Sequence, residues 1–382
     1  MIAEVRTFTS QSGPDEYFLA LEGLAGAGRF EAQVEHLAAQ YRDLLAARGL
    51  APTTAVFHRV FVSDSLNQHE TKALAAFRDI DGSPVACSFI QQPPLSGGKI
   101  ALLAYHIADP AMRKVRLDPH HVLVERGGAR YLWSTGLASP ATSAVTIAAD
   151  AQTRDVFGQL QRQLTQCGAA LAPHCQRTWL FAKDVDVFYE GMVRARTALF
   201  AASGLTPETH YISSTGIEGA GAHPFAVITM DAYSCLNITP AQGSYLHSDD
   251  MLCRTDRYQV TFERGTCLDY ADRRHLLISG TASIDADGQT LHEGDVMRQC
   301  DRALDNVAAL LASRGAGLAD LQYVIVYLRD ASDYDQIRRR LSNVCNHVPM
   351  VIVQGAVCRP AWLIEIEGVA MVGNNDPSLP RF

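Results

Sequence analysis

The feature that most constrains this chain is an order of elements that occurs three times along its 382 residues. In each pass an apolar stripe with helical spacing ends at a glycine, and a short apolar strand followed by an aspartate comes next. The three glycines are Gly49, Gly168 and Gly315. One such match is common, because glycine often ends helices. Three matches in the same order predict one α/β unit of about 120 residues repeated three times; the alternative is an ordinary α/β protein of two domains.

The third pass shows the pattern best. An apolar run that ends in small residues, 276–283, predicts a strand leading into a turn. A helical stripe then runs from Val296 to Leu311 and ends near Gly315. Three further strands are predicted over 323–328, 348–353 and 362–367.

The second and first passes follow the same order more faintly. In the second, the predicted elements are a strand over 131–136, a helix that stops at Gly168, a strand over 177–182, a helix over about 188–202 and a strand over 225–230. In the first, they are a helix over about 31–48 and strands over 60–64 and 100–105. We therefore predict three modules, at residues 1–115, 116–245 and 246–382, around a pseudo-threefold axis.

Charge and composition exclude several classes of partner and site. The net charge is −8, whereas surfaces that bind nucleic acid carry clustered Lys and Arg, so no nucleic-acid partner is expected. No apolar stretch reaches roughly 18 residues, and no basic run precedes an apolar segment at the start. We therefore expect a cytoplasmic protein with no membrane contact. The nine cysteines contain no C-x-x-C pair, which argues against structural zinc.

Four segments resemble the Rid/YjgF superfamily. They are Ile278-Ser-Gly-Thr-Ala-Ser283, Glu293-Gly-Asp295, Tyr327-Leu-Arg-Asp330 and Ile364-Glu-Ile-Glu367. Members of this superfamily are single modules that assemble as trimers with active clefts between neighbours. The third pass resembles them along its whole length, the second well and the first weakly. The resemblance implies an α/β (α+β) fold in which each module is a mixed sheet with helices on one face. Three such modules make an intramolecular pseudotrimer, which leaves the chain free to be monomeric.

The sequence further resembles the chorismatases, a branch with long chains that hydrolyse or rearrange chorismate and release pyruvate. Residues 357–368 are similar to their C-terminal catalytic strand, and residues 177–179 and 262–265 are similar to other segments of theirs. A cysteine seven residues before the glutamate, as at Cys358, resembles the subgroup that forms 3-hydroxybenzoate. The sequence departs from the pattern at Leu180, where chorismatases carry an asparagine, and is only loosely similar over 213–219.

The candidate acid is Glu365. Cleavage of an enol ether begins with protonation of the terminal carbon of the enolpyruvyl group, which needs an acid that stays protonated at neutral pH. On a strand, Glu365 and Glu367 share one face, while Ile364 and Ile366 share the other face, which we expect to pack against the core. The resemblance implies that Glu365 is catalytic and that Cys358 belongs to the site, whereas Glu367 is expected to be structural. The alternative is that both glutamates lie on a solvated face.

A substrate with two carboxylates also needs cations and N–H donors. The candidate carboxylate clamps are Arg177, Arg264 and Arg359. Small residues at strand ends offer backbone N–H groups to an anion, and the candidates are Thr215, Gly216, Gly280 and Thr281. The alternatives are solvated arginines and simple turns. His247, Asp249 and Asp250 are explained as well by a polar loop as by a metal site, so neither a metal nor a cofactor is expected.

Two classes of function remain open. The first is an enzyme that releases pyruvate from chorismate, a small carboxylated substrate, to give a hydroxybenzoate or related product. The second is a non-catalytic protein of the Rid type that binds a small metabolite or a partner protein. A Rid-like imine deaminase is a further alternative within the enzyme class. The resemblance argues against it, because those deaminases hold the substrate carboxylate with an arginine at a position that falls near Met350 here.

Overall fold

The computed structural model describes residues 3–10, 12–23, 28–139, 147–255 and 260–382. Within these ranges the chain forms three large mixed sheets in succession. The strands of the first sheet are β1 Ala3–Phe8, β2 Glu16–Glu22, β3 Ala55–Val62, β6 Ala86–Gln91 and β7 Ile100–Ile107. Their order is β1-β2-β7-β3-β6. The accompanying helices are α1 Phe30–Ala47 and α2 Glu70–Phe77, and a two-stranded hairpin follows α2, with β4 Asp79–Ile80 and β5 Ser83–Pro84.

The second and third sheets have six strands each among the described residues. Those of the second are β8 Arg113–Arg116, β9 His121–Arg126, β10 Ala129–Ala138, β11 Cys175–Ala182, β12 Ser213–Glu218 and β13 Ile228–Cys235, with helices α3 Ala149–Gln166, α4 Leu171–His174 and α5 Val185–Ala202. Those of the third are β14 Gly243–Tyr245, β15 Gly265–Asp269, β16 Arg273–Thr281, β17 Leu321–Leu328, β18 Met350–Gln354 and β19 Ile364–Gly373, with helices α6 Val296–Ala312 and α7 Tyr334–Val344. Short 3-10 helices span Pro52–Thr54, Leu318–Asp320 and Ala331–Asp333.

The three sheets share one topology. Their orders are β12-β11-β13-β10-β9-β8 in the second and β14-β15-β16-β19-β17-β18 in the third. In each sheet two strands run parallel, namely β3 with β6, β11 with β12 and β17 with β18. The closing strand of each unit, β7, β13 or β19, is antiparallel to the inner one of these two. The predicted fold of repeated mixed sheets with helices is therefore confirmed.

The register of these pairs identifies equivalent positions in the three sheets. The penultimate residues of β3, β11 and β17 are Phe61, Phe181 and Tyr327. Their partners on the closing strands are Ala101, Thr229 and Glu365 respectively. These three residues occupy the same place in the repeated fold, and only the third copy has a carboxylic acid there.

The glycines that end the long helices adopt the same conformation in all three copies. Gly49, Gly168 and Gly315 have φ values of 65°, 76° and 70°, a region that favours glycine over residues with a side chain. The N–H of the next residue donates to the carbonyl five residues back in each case, pairing Leu50 with Leu45, Ala169 with Leu164 and Ala316 with Leu311. The predicted helix ends are therefore correct, because one capping motif is used three times.

Backbone hydrogen bonds join the three predicted modules into a ring. The N–H of the last residue of each outer parallel strand donates to a carbonyl of the next module. These bonds join Gln91 to Ala220 at 2.7 Å, Glu218 to Ala356 at 3.1 Å and Gln354 to Pro93 at 2.8 Å. The third bond returns to the first module, so the chain closes on itself as a pseudotrimer. A monomer in solution stays a prediction.

The predicted module boundaries fall at edge strands. The boundary between 115 and 116 lies within β8, and the second boundary follows directly after β14, which ends at Tyr245. These short strands have weak patterns, since RKVR and GSY give no alternation long enough to predict. The division of the chain at these residues stays a prediction.

Candidate active site

A narrow cleft lies between the second and third modules, beside the bond from Glu218 to Ala356. It is walled by β12 and α5 on one side and by β16, β19 and the segment before β19 on the other. Seven of the nine predicted site residues line it: Glu365, Cys358, Arg264, Arg359, Thr215, Gly216 and Gly280. Its open volume is only about 30 Å³, so a cyclic substrate has to displace side chains at the mouth.

The carboxyl group of Glu365 is held inside this cleft in its protonated form. The side chain is only 5% exposed, which excludes the solvated face that the strand pattern also allowed. Burial raises the pKa of Glu365 to about 8, and the neighbouring charge of Glu367 raises it further, while Arg177 and Arg264 act in the opposite direction. At neutral pH the group is therefore mostly a neutral acid that can give up a proton.

Gly280 provides the surface on which the Glu365 carboxyl rests. A Cβ atom at position 280 would lie 2.0 Å from Oε1 of Glu365 and 3.1 Å from the methyl carbon of Thr215. The N–H of Gly280 donates to the hydroxyl of Thr215 at 2.9 Å. The small residue in β16 is required because the acid occupies the space of a side chain.

We expect Gly280→Ala to lower turnover while the protein still folds. The added methyl group has to push the Glu365 carboxyl away from its position, and a displacement of about 1 Å can cost roughly 100-fold in rate. The measurement is the turnover of the variant on the substrate proposed below, with circular dichroism to check folding. The matched control is Gly317→Ala, since nothing lies within 4 Å of a Cβ there. A fully active Gly280→Ala protein would contradict this account of the acid's position.

Glu367, two residues along the same strand, is bound on both oxygens. Arg177 donates to Oε2 at 2.7 Å and Trp179 donates to Oε1 at 2.8 Å. The hydroxyl of Thr215 donates to Oε2 as well. Glu367 is 1% exposed, so this is a buried ion pair with its hydrogen bonds satisfied.

The first module contributes a cation to the same network. Arg59 on β3 lies with Nη1 3.6 Å from Oε1 of Glu367 and donates from Nη2 to Asp231 at 2.9 Å. Its guanidinium lies 4.5 Å from the centroid of the Trp179 ring. Residues from all three modules therefore fix the charge beneath the candidate acid, although the first module does not line the cleft.

Two predicted site residues lie behind the cleft. Arg177 and Glu367 border another cavity, which residues of all three modules line, and the Arg177 guanidinium also donates to the hydroxyl of Thr215 at 2.5 Å. Thr281 is buried and donates its hydroxyl to the carbonyl of Ser279 at 2.9 Å. Arg177 is thus placed to hold Glu367, and Thr281 to hold the local turn, rather than to touch a ligand in the cleft.

Three other predicted residues line the cleft, namely a cysteine and two arginines. Burial raises the pKa of the Cys358 thiol to about 12, and the charge of Glu365 adds to this, so the thiol is neutral and a poor nucleophile. The guanidinium of Arg264 donates to the carbonyl of Cys253 at 2.9 Å. That of Arg359 lies 5.1 Å from the centroid of the Trp362 ring.

Sequence reasoning missed two residues of helix α5 that line the cleft, Tyr189 and Arg196. Arg196 is 1% exposed, and its Nε donates to the hydroxyl of Thr261 at 3.2 Å. Tyr189, Met192 and Arg196 are spaced three and four residues apart, which places them on one face of the helix. The signal in the sequence was an arginine on the apolar face of an amphipathic helix. A buried guanidinium is rare unless it pairs with another group, so such an arginine is a candidate binding residue.

The described parts of the chain show neither a metal-ligand cluster nor a membrane-spanning helix. There, no three or more His, Cys, Asp or Glu side chains are grouped so as to hold a metal ion. In the same ranges, no helix is both long and apolar enough to cross a bilayer.

Comparison with known proteins agrees with this geometry. The family model described as Endoribonuclease L-PSP matches residues 269–372. A RutC family protein of Pyrococcus abyssi is 30% identical over 97 residues, which cover 25% of this chain and 76% of that protein. A solved chorismatase structure has a TM-score of 0.63 at 21% identity, covering 83% of this chain and 93% of that one, and so shares the fold.

Two further curated relatives come from Streptomyces species. A chorismatase of Streptomyces rapamycinicus is 27% identical over 224 residues, 52% of this chain and 64% of that protein. A 3-hydroxybenzoate synthase of Streptomyces hygroscopicus is 34% identical over 110 residues, 25% of this chain and 31% of that protein. The chain thus spans less than two thirds of the length of these relatives. The fold and cleft define a protein of the Rid type. The chain belongs to the Rid/YjgF superfamily, in the three-module branch that resembles the chorismatases.

Proposed function

We propose that this protein releases pyruvate from chorismate, with Glu365 as the general acid. The observation that carries the proposal is a buried carboxyl, with a pKa raised to about 8, in a cleft also lined by Arg196, Arg264 and Arg359. A neutral acid among cations suits a substrate that has two carboxylates and must be protonated on carbon. The likeness to curated chorismatases supports this choice of substrate.

The first step follows from the position of the acid. Glu365 gives its proton to the terminal methylene carbon of the enolpyruvyl group, whose π electrons form the new C–H bond. The adjacent carbon becomes an oxocarbenium ion, and the carboxylate left on Glu365 stabilises that positive charge. Water adds to this carbon and returns one proton to the carboxylate of Glu365. The bond from this carbon to the ether oxygen then breaks, and that oxygen takes the remaining proton of the added water, which releases pyruvate and leaves a hydroxyl on the ring.

The other residues of the cleft have roles in binding. Arg264 and Arg359 are proposed to hold the carboxylates, joined by Arg196 from α5. Thr215, Gly216 and Gly280 form the floor between the two modules. Arg177 is proposed as a positioning residue that acts through Glu367, since it is bound there at 2.7 Å.

For the product we propose a hydroxybenzoate. Chorismate has the same atoms as hydroxybenzoate plus pyruvate. The water that adds is therefore returned when the ring loses its second hydroxyl together with a ring hydrogen and becomes aromatic, whereas a diol product retains it. Cys358 is placed beside the acid as a small neutral group that shapes the pocket. The similarity of one region to a 3-hydroxybenzoate synthase supports this product.

The test is incubation of the purified protein with chorismate, with pyruvate measured by a coupled lactate dehydrogenase assay and the aromatic product by chromatography. We expect equal amounts of pyruvate and 3-hydroxybenzoate. If pyruvate appears together with a diol, the proposed product is wrong, whereas the proposed release of pyruvate from chorismate is supported. If chorismate is untouched, the proposal fails, and ammonia release from imines then tests the deaminase alternative.

The pH dependence follows from the pKa of Glu365. The acid must be protonated to act, and its pKa is raised to about 8, so the active form dominates below this value and disappears above it. We expect kcat/KM for chorismate to fall tenfold per pH unit above about pH 8. A rate that falls instead as the pH drops from 8 to 6 would show that Glu365 acts as a base.

A further inference from the structure

A second cleft lies between the first and second modules, at the place equivalent to the candidate active site. The bond from Gln91 to Ala220 borders it as the bond from Glu218 to Ala356 borders the first. Thr229 takes the position of Glu365 in the closing strand. Ala222, two residues after Ala220, takes that of Cys358, two residues after Ala356. Equivalent elements of the repeated fold therefore line both clefts.

This second cleft is much more open than the first. Its volume is about 460 Å³, compared with about 30 Å³ around Glu365. Pockets that bind small molecules usually measure roughly 300–1,000 Å³. A cavity of this size can accept a six-membered ring with its substituents without a change in the walls.

The hydroxyl of Thr229 points to a ligand. Thr229 is only 3% exposed, and among the described residues its Oγ1 has no hydrogen-bond partner. A buried hydroxyl without a partner costs about 1–3 kcal/mol, so such groups normally have one. Because Thr229 lines the cleft, a bound molecule is able to supply that partner.

The other polar groups of the cleft fit a hydroxylated aromatic acid. Arg78 supplies a guanidinium, which donates to the carbonyl of Pro119 through one of its N–H groups at 2.7 Å. Nδ1 of His120 contacts the carbonyl of Thr135 at 3.0 Å, so the proton lies on Nδ1 and Nε2 is an acceptor when the ring is neutral. Leu74 and Phe89 give the cavity an apolar surface. Glu70 also lines the cavity, and its side chain is exposed to solvent.

We propose that the cleft between the first and second modules is a non-catalytic binding site for an aromatic hydroxy-monocarboxylate. Arg78 binds the carboxylate, apolar side chains contact the ring, and Thr229 and His120 bind the hydroxyl. A threonine at the position of the acid has no proton to give at neutral pH, so the ligand leaves unchanged. The choice of the hydroxybenzoate class rests on the proposed function, whereas the site itself rests on the cavity and the unpartnered hydroxyl.

The test is calorimetric titration of the full chain with 3-hydroxybenzoate. We expect a binding event that Ala222→Phe removes, because the phenyl ring fills the cleft. Thr229→Val keeps the shape and deletes the hydroxyl, and should weaken this event roughly 3–10-fold, the value of one hydrogen bond. The matched variant is Cys358→Phe, which fills the equivalent position of the other cleft and should leave this event intact.

Each outcome separates the site from the proposed reaction. Binding that survives Ala222→Phe but is lost in Cys358→Phe would overturn the proposal, as would no binding at all. Pyruvate release from chorismate is measured on the same proteins, and Ala222→Phe should retain it. If the protein is inactive on chorismate but still binds 3-hydroxybenzoate through Thr229, the proposed reaction is wrong and the proposed binding site is supported. Thr229→Val tests the proposal even where Ala222→Phe fails to fold, because it removes only a hydroxyl that has no hydrogen-bond partner within the protein.

Discussion

Replacing Glu365 with glutamine is expected to lower the rate of pyruvate release from chorismate by roughly 10²–10⁴-fold, the usual contribution of general acid catalysis. Glutamine keeps the size of the side chain and much of its hydrogen bonding, but it has no proton that it can transfer to carbon. Because the acid is neutral at pH 7, the substitution removes no charge from the cleft in its resting form. The measurement is kcat on chorismate beside the parent protein, with circular dichroism to confirm folding.

The chain offers a matched control in Glu22. This residue is also a buried glutamate, 2% exposed, and burial raises its pKa to about 7 against the opposing charge of Arg338. It ends β2 in the first module and does not line the cleft of Glu365. Glu22→Gln should therefore keep full turnover. Equal losses in both variants would mean that the loss reports a buried carboxyl in general, and the acid would have to be sought elsewhere.

Glu367→Gln is expected to lower the free energy of unfolding by about 3–5 kcal/mol, because it breaks a buried ion pair and leaves Arg177 uncompensated. The carboxylate accepts from Arg177 at 2.7 Å and lies 3.6 Å from Arg59, with all three side chains 2% exposed or less. Water does not screen these charges as it does at the surface. The measurement is urea unfolding followed by circular dichroism.

A surface pair provides the comparison for this loss. Glu190 and Arg194 approach to 3.6 Å on α5, but their side chains are 92% and 65% exposed. Glu190→Gln should change the free energy of unfolding by about 0.5 kcal/mol or less. If Glu367→Gln were equally mild, the network would not hold the three modules together, and Arg177 would be free to bind substrate.

The repeated fold could be predicted because its signals are local. Glycine at the end of a helix and apolar runs in strands depend on the residues next to them, and the three capping glycines occur as predicted. The edge strands β8 and β14 were not predicted, because RKVR and GSY are too short to show an alternation of apolar and polar residues.

The candidate site was predictable only in part, because its parts come from different modules. Glu365 and Cys358 lie close in sequence, so the resemblance of one segment was enough to find them. Arg177 and Arg196 are both buried arginines of the second module, and only Arg177 was predicted as a site residue. What separates them is the location of Glu367, a residue about 190 positions beyond Arg177 that takes up its charge.

Because three backbone hydrogen bonds close the modules of a single chain into a ring, a substitution can alter one cleft without altering the others. In a trimer of identical modules every substitution appears in all three interfaces at once, so no interface can specialise. Here Ala101, Thr229 and Glu365 stand at one structural position and are encoded independently. A substitution that widens one cleft therefore leaves the acid of another unchanged. Joining the modules in one chain thus gives each interface its own evolutionary history.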